Sequence, residues 1–207
     1  MRRILKFYNN LQGIKKQPMK NTFLVLLLLN FLTGCNEQKL THQETVTKYY
    51  NVRDVANYDE LKKLISDSIT ITAGDYVMPY NHDSFYEQFK WDSIFNPSYK
   101  IVELKEKNNQ IIASVALNSV RNEFLKNNAM TCQYRISFNS GKISKIEELE
   151  CQGADWNIWQ KERDSLVSWI KKNHPELDGF VHDMTMNGAI NYLKAIELYK
   201  NGLPTQN

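Results

Sequence analysis

Met130-Thr131-Cys132-Gln133-Tyr134-Arg135-Ile136-Ser137-Phe138, then Asn139-Ser140-Gly141, then Lys142-Ile143-Ser144-Lys145-Ile146-Glu147-Glu148-Leu149-Glu150-Cys151 reads as two strands joined by a tight turn. Apolar residues alternate in the first run, and Asn-Ser-Gly is turn chemistry. Cys132, Tyr134, Ile136 and Phe138 share one face, and Thr131, Gln133 and Arg135 the other. A two-residue turn pairs Asn139 with Lys142 and sets Cys132 opposite Leu149. Cys151 then lies two residues further along the same face. That diagonal is long for a disulfide, and a bulge in the turn or strand closes it. Two free buried thiols are the other outcome.

Upstream, Tyr99 to Lys105 turns at Glu106-Lys107-Asn108-Asn109 into a strand from Gln110 to Arg121. A polar connection, Asn122 to Asn128, leads to the hairpin above, so four strands form an antiparallel meander. Before it, Val46, Tyr49, Tyr50 and Val52 or Arg53 mark one helix. Tyr58, Leu61, Leu64 and Ile65 mark a second, capped by Asp54 or Asn57 and ended by Ser66-Asp67-Ser68. Ile69-Thr70-Ile71-Thr72 is a strand and Gly74 to Pro79 a loop. A short aromatic helix follows, started by Asp83 or Ser84, carrying Phe85, Tyr86, Phe89, Trp91 and Phe95, and stopped by Asn96-Pro97.

The order of elements resembles the nuclear transport factor 2-like fold, also called SnoaL-like. Tyr49-Tyr50, the helix start at Asn57-Tyr58-Asp59-Glu60-Leu61, the Ser66-Asp67-Ser68-Ile69-Thr70 passage and the meander carry it, over Thr41 to Leu149. A cystatin-like sheet on one long helix is the nearest competitor. The resemblance implies an α+β domain over residues 41–151, a cone-shaped curved antiparallel sheet packed on N-terminal helices. Residues 152–207 add a C-terminal helical extension packed on it. Its first helix runs from Asp155 to Lys172. Its second runs from Pro175 to Lys200, striped by Val181, Met184, Gly188, Tyr192, Ala195 and Tyr199.

At the other end, Phe23 to Phe31 is a short apolar run after Met19-Lys20, too short to span a bilayer and typical of a secretory signal. Leu32-Thr33-Gly34-Cys35 resembles the lipobox of bacterial lipoproteins. That resemblance implies cleavage after Gly34, removing residues 1–34, with lipid on Cys35 and a tether over residues 35–40. Met19 reads as the natural start, and a long basic leader is the alternative. Asn36 after the cysteine favours the outer membrane over the inner, by analogy with the family's sorting rule.

The formal charge of +3 belongs to that leader, because residues 1–35 hold six Lys or Arg and no acid. Removing those six from 26 leaves 20 basic against 23 acidic residues, a net of −3. Such a surface does not support nucleic-acid binding. With Cys35 lipidated, Cys132 and Cys151 remain as a pair in a disulfide-permissive compartment.

The catalytic candidates are His82 and Asp83, a titratable pair near the expected cone mouth, although Asp83 also suits a helix cap. Tyr76, Tyr80 and Tyr134 are the ligand-binding candidates. The strands from Gln110 onwards offer no acid before Glu147 or Glu148, which argues against a general base in the cone. His174, Asp178 and His182 share a face only if their helix is continuous, which Pro175 and Gly179 oppose; no metal or cofactor is expected. The expected function is therefore a membrane-anchored envelope lipoprotein that binds a small apolar ligand or a partner protein without catalysis. An isomerase, dehydratase or cyclase using the cone pocket is the alternative.

Overall fold

A computed structural model of the chain describes residues 39–128 and 130–202. The expected signal peptide and Cys35 lie outside the described residues.

Helix α1, His42–Asp54, begins at a capping box in which the Thr41 hydroxyl accepts from the Glu44 amide and Glu44 binds back to Thr41. Helix α2, Tyr58–Leu64, is capped by Asn57. Strand β1, Ile65–Ala73, and strand β2, Tyr76–Asn81, form a hairpin. Helix α3, His82–Ser93, follows with Asn81 as its cap, so Asp83 sits in its first turn rather than capping it.

The meander is β3, Ser98–Lys107; β4, Gln110–Asn118; β5, Met130–Asn139; and β6, Lys142–Gln152. Asn108 and Asn109 both have positive φ, as do Ser140 and Gly141, so both hairpins close on two-residue turns that match strand twist. A short helix, α4, Val120–Phe124, lies between β4 and β5.

The sheet is curved and open, with strand order β2-β1-β6-β5-β4-β3. It is mixed rather than wholly antiparallel, because β1 pairs with β6 in parallel. β2 occupies most of the stretch expected to be a loop. Its Pro79 donates no amide, which an edge strand tolerates.

Two bulges shape the β5–β6 ladder. Asn139 faces Lys142, but Ser144 is skipped between Phe138–Ile143 and Ser137–Lys145, and Leu149 between Tyr134–Glu148 and Gln133–Glu150. Two extra residues on β6 bring Cys151 directly opposite Cys132, and the disulfide forms across 19 residues with Cα atoms 4.0 Å apart.

Helix α5, Trp156–Asn173, is capped by Asp155, whose carboxylate accepts from the Asn157 and Ile158 amides. The expected second helix is broken. Residues Pro175–Leu177 and Phe180–His182 form 3₁₀ turns around Gly179 at φ +86°, and helix α6 covers Met186–Gly202. Gly188 is glycine because a Cβ there would sit 2.0 Å from the Asp183 carbonyl oxygen. The same carbonyl accepts from Trp91 Nε1 at 3.1 Å, joining α3 to the segment before α6.

Buried side chains fall in two clusters. One joins the sheet to α1, α2 and α3 through residues such as Tyr49, Leu61, Phe85, Phe89 and Ile136. The other joins α3 to the C-terminal helices through Trp91, Phe95, Leu166, Ile170 and Tyr192. Helix α3 therefore contributes to both, and the space beside it becomes the site.

Candidate functional site

A cavity of about 630 Å³ opens between the sheet and the C-terminal helices. Ile71, Met78, Phe89, Leu117 and Ile146 supply apolar wall, with Trp91, Trp159 and Val167 on the helical side. The polar groups are fewer and fall into sets.

The first set is built on α1. Arg53 follows Tyr49 by one helical turn, and its guanidinium donates to the Tyr49 hydroxyl at 2.9 Å and to Asp92 Oδ2 at 2.9 Å. It also stands 4.9 Å from the Tyr99 ring centroid. Burial works against the charge on Arg53, but Tyr49, Tyr99 and Asp92 outweigh it and hold the guanidinium above its ordinary pKa. Tyr50, Tyr99 and Tyr134 extend this group, and burial raises all three phenols. They stay protonated at any physiological pH and can donate hydrogen bonds to a guest.

The second set is Glu148, opposite Tyr134. Strict alternation counted back from Cys151 turns Leu149 inward and Glu148 outward. The bulge at Leu149 reverses this, leaving Leu149 exposed and Glu148 lining the cavity. Burial raises the Glu148 carboxyl above its usual range, and among the described residues no hydrogen bond or ion pair holds it. In the sequence Glu147 and Glu148 stand side by side in the last strand, and which of them faces the cavity is hidden because nothing local announces a bulge.

The third set faces from the helices: Arg121 on α4, Arg163 on α5 and Tyr192 on α6. Arg163 pairs with its neighbour Asp164 at 2.8 Å. Arg121 lies over Trp91, 4.9 Å from the ring centroid, and beside Phe95 at 5.6 Å.

Of the residues singled out from sequence, Tyr80 and Tyr134 line this cavity. Tyr76 does not; it is 74% exposed on the edge strand. His82 and Asp83 line a separate, open depression on the surface with Tyr58 and Tyr86. There the Tyr58 hydroxyl donates to the His82 carbonyl at 2.5 Å, while His82 Nε2 is buried without a partner among the described residues. His182 reaches the cavity, but His174 and Asp178 do not, since the break at Gly179 separates them. Among the described residues, Cys132, Glu148 and Cys151 bring potential metal-ligand atoms within 4.8 Å of one another, but both sulfurs are consumed by the disulfide. Tyr49, Arg53, Asp92, Tyr99, Arg121 and Tyr192 were missed as site residues. The Tyr49-Arg53 spacing of four was the one visible hint.

No family model matches the chain, and no curated protein matches it. Among solved structures it is similar to an NTF2-like protein of unknown function from Cytophaga hutchinsonii, at 11% identity and TM-score 0.45, covering 55% of this chain and 92% of that one. IdmH, a proposed polyketide cyclase from Streptomyces antibioticus, is 13% identical at TM-score 0.46, covering 60% and 99%. An uncharacterised cystatin-fold protein from Novosphingobium aromaticivorans is 10% identical at TM-score 0.44, covering 54% and 99%.

Proposed function

We propose that the chain is a lipid-anchored protein of the bacterial envelope that binds a small, largely apolar ligand between its sheet and its C-terminal helices. The observation that carries the reading is the cavity itself. Its volume of about 630 Å³ suits a small organic molecule, and its wall is aromatic and aliphatic with a few convergent polar groups. The protonated phenols of Tyr50, Tyr99 and Tyr134 supply hydrogen bonds without a charge that an apolar guest must desolvate. The anchor rests on Leu32-Thr33-Gly34-Cys35, and the outer-membrane address on Asn36. Several acyl chains on one cysteine suffice for stable attachment.

Glu148 favours a second reading, in which the guest is transformed by proton transfer, as in an isomerase, dehydratase or cyclase. A carboxyl whose pKa is raised by burial in an apolar cavity is suited to give and take protons nearer neutrality. In that reading Glu148, rather than His82 or Asp83, is the catalytic residue.

The test is the mass of the full chain taken from its native membrane, measured under native and denaturing conditions. A triacyl adduct beginning at Cys35 and a second mass lost on denaturation are the expected results. An unmodified Cys35 removes the anchor. A chain with no non-covalent mass removes the ligand and leaves an envelope protein partner as the alternative. If Glu148→Gln carries a different guest from the natural protein, the catalytic reading replaces simple binding.

A further inference from the structure

The charges that line the cavity are unequally satisfied. Arg53 pairs with Asp92 and Arg163 with Asp164. Arg121 has no carboxylate partner among the described residues, although it is half-buried and lines the cavity. Trp91 and Phe95 hold its guanidinium in place, but aromatic faces supply no counter-charge, and among the described residues no hydrogen bond engages its donors. Tyr192, 3% exposed, lines the same space. Burial raises its phenol, and Arg121 and Arg163 pull it back, so both guanidiniums act at the Tyr192 end. Glu148 and Tyr134 come from the sheet instead.

We infer that the guest is an amphipathic monoanion, a carboxylate on a small apolar body, with its acid group on Arg121 and its body between Trp91 and the aromatic wall. This rests on the ligand-binding reading above. One free guanidinium matches one carboxylate, and its planar fork accepts both oxygens. The apolar wall accounts for the body, and the protonated phenols on the sheet side meet any polar group at the far end.

The test compares 2-naphthoate with its neutral counterpart 2-naphthamide by titration calorimetry on the full chain. The natural protein is expected to bind the acid at least tenfold more tightly. Arg121→Gln should bring the acid down to the affinity of the amide and leave the amide unchanged, which also reports an intact cavity. Lys172→Gln, an exposed position outside the cavity, should keep the preference. If Arg121→Gln does not fold, Arg121→Lys serves, because it keeps the charge but loses the fork and should reduce the preference several-fold. Equal affinities for acid and amide, or a preference that survives loss of Arg121, overturn the anion assignment and leave ligand binding standing. Failure of both compounds to bind overturns the assignment together with the reading beneath it.

Discussion

Glu148 stands directly across the β5–β6 ladder from Tyr134, and both side chains line the cavity. Two skipped residues frame this pairing: Ser144 sets it when counted from the turn, and Leu149 when counted back from Cys151. Without such a bulge, strict alternation would turn Glu148 outward and put Glu147 on the cavity face in its place.

That pairing sets a pH dependence. The Glu148 carboxyl is raised in the folded state by burial, so the folded chain holds a proton that the unfolded chain has released. Stability therefore falls as pH rises from the ordinary carboxylate range through the raised folded value. Glu148→Gln removes that loss. Its melting temperature should exceed that of the natural protein at pH 7, and the two should converge towards pH 4. A variant less stable than the natural protein at pH 7 would mean that Glu148 has a stabilising partner.

Arg53 should act as the keystone of the polar cluster. Its side chain is 16% exposed, with Asp92 at 29%, so loss of the guanidinium leaves a partly buried carboxylate alone. Arg53→Met should destabilise by about 1–3 kcal/mol, in the range for an unsatisfied buried group. A double-mutant cycle with Asp92→Asn should recover part of that energy. Additive effects would show that the pair contributes little.

Gly188 should tolerate no side chain. The Cβ of Gly188→Ala would meet Asp183 backbone at 2.0 Å, so helix α6 or the Asp183 segment must move. We expect a loss of about 1–3 kcal/mol in denaturant titrations, as for other overpacked sites. The Trp91–Asp183 hydrogen bond reports the same motion, so tryptophan fluorescence should change with it.

The disulfide should be structural. It closes a segment of 19 residues, for which the chain-entropy argument gives about 3 kcal/mol. Unfolding with and without reductant, or of Cys132→Ser with Cys151→Ser, should differ by that order. A negligible difference would mean that the bulged ladder holds its register unaided.

Much of the secondary structure was legible because its signals are local. The Asn108-Asn109 and Ser140-Gly141 turns announce their hairpins through the backbone conformations they accept. Asn57 and Asp155 mark helix starts through oxygens that reach amides two or three residues on. The Tyr49 and Leu61 faces follow from helical periodicity. Tyr76 to Pro79 was misread because proline argues against a strand, and only β2's place at the sheet edge makes it harmless. The last helix was misread because an apolar stripe continued across Gly179, whose left-handed φ ends any helix there.

The sequence by itself therefore determined most of the strands and helices, with β2, α4 and the broken last helix as the exceptions, and that Cys132 and Cys151 flank one hairpin. Tertiary structure alone decided that β1 lies parallel to β6, that β6 bulges at Ser144 and Leu149, and that Glu148 consequently points inward. The reason is one of range. Turns and caps depend on atoms a few residues apart, whereas register depends on a partner strand, and a one-residue slip exchanges the two faces of the sheet. The cavity is more distant still, since Arg53, Glu148 and Arg121 meet around it only after α1, β6 and α4 have packed.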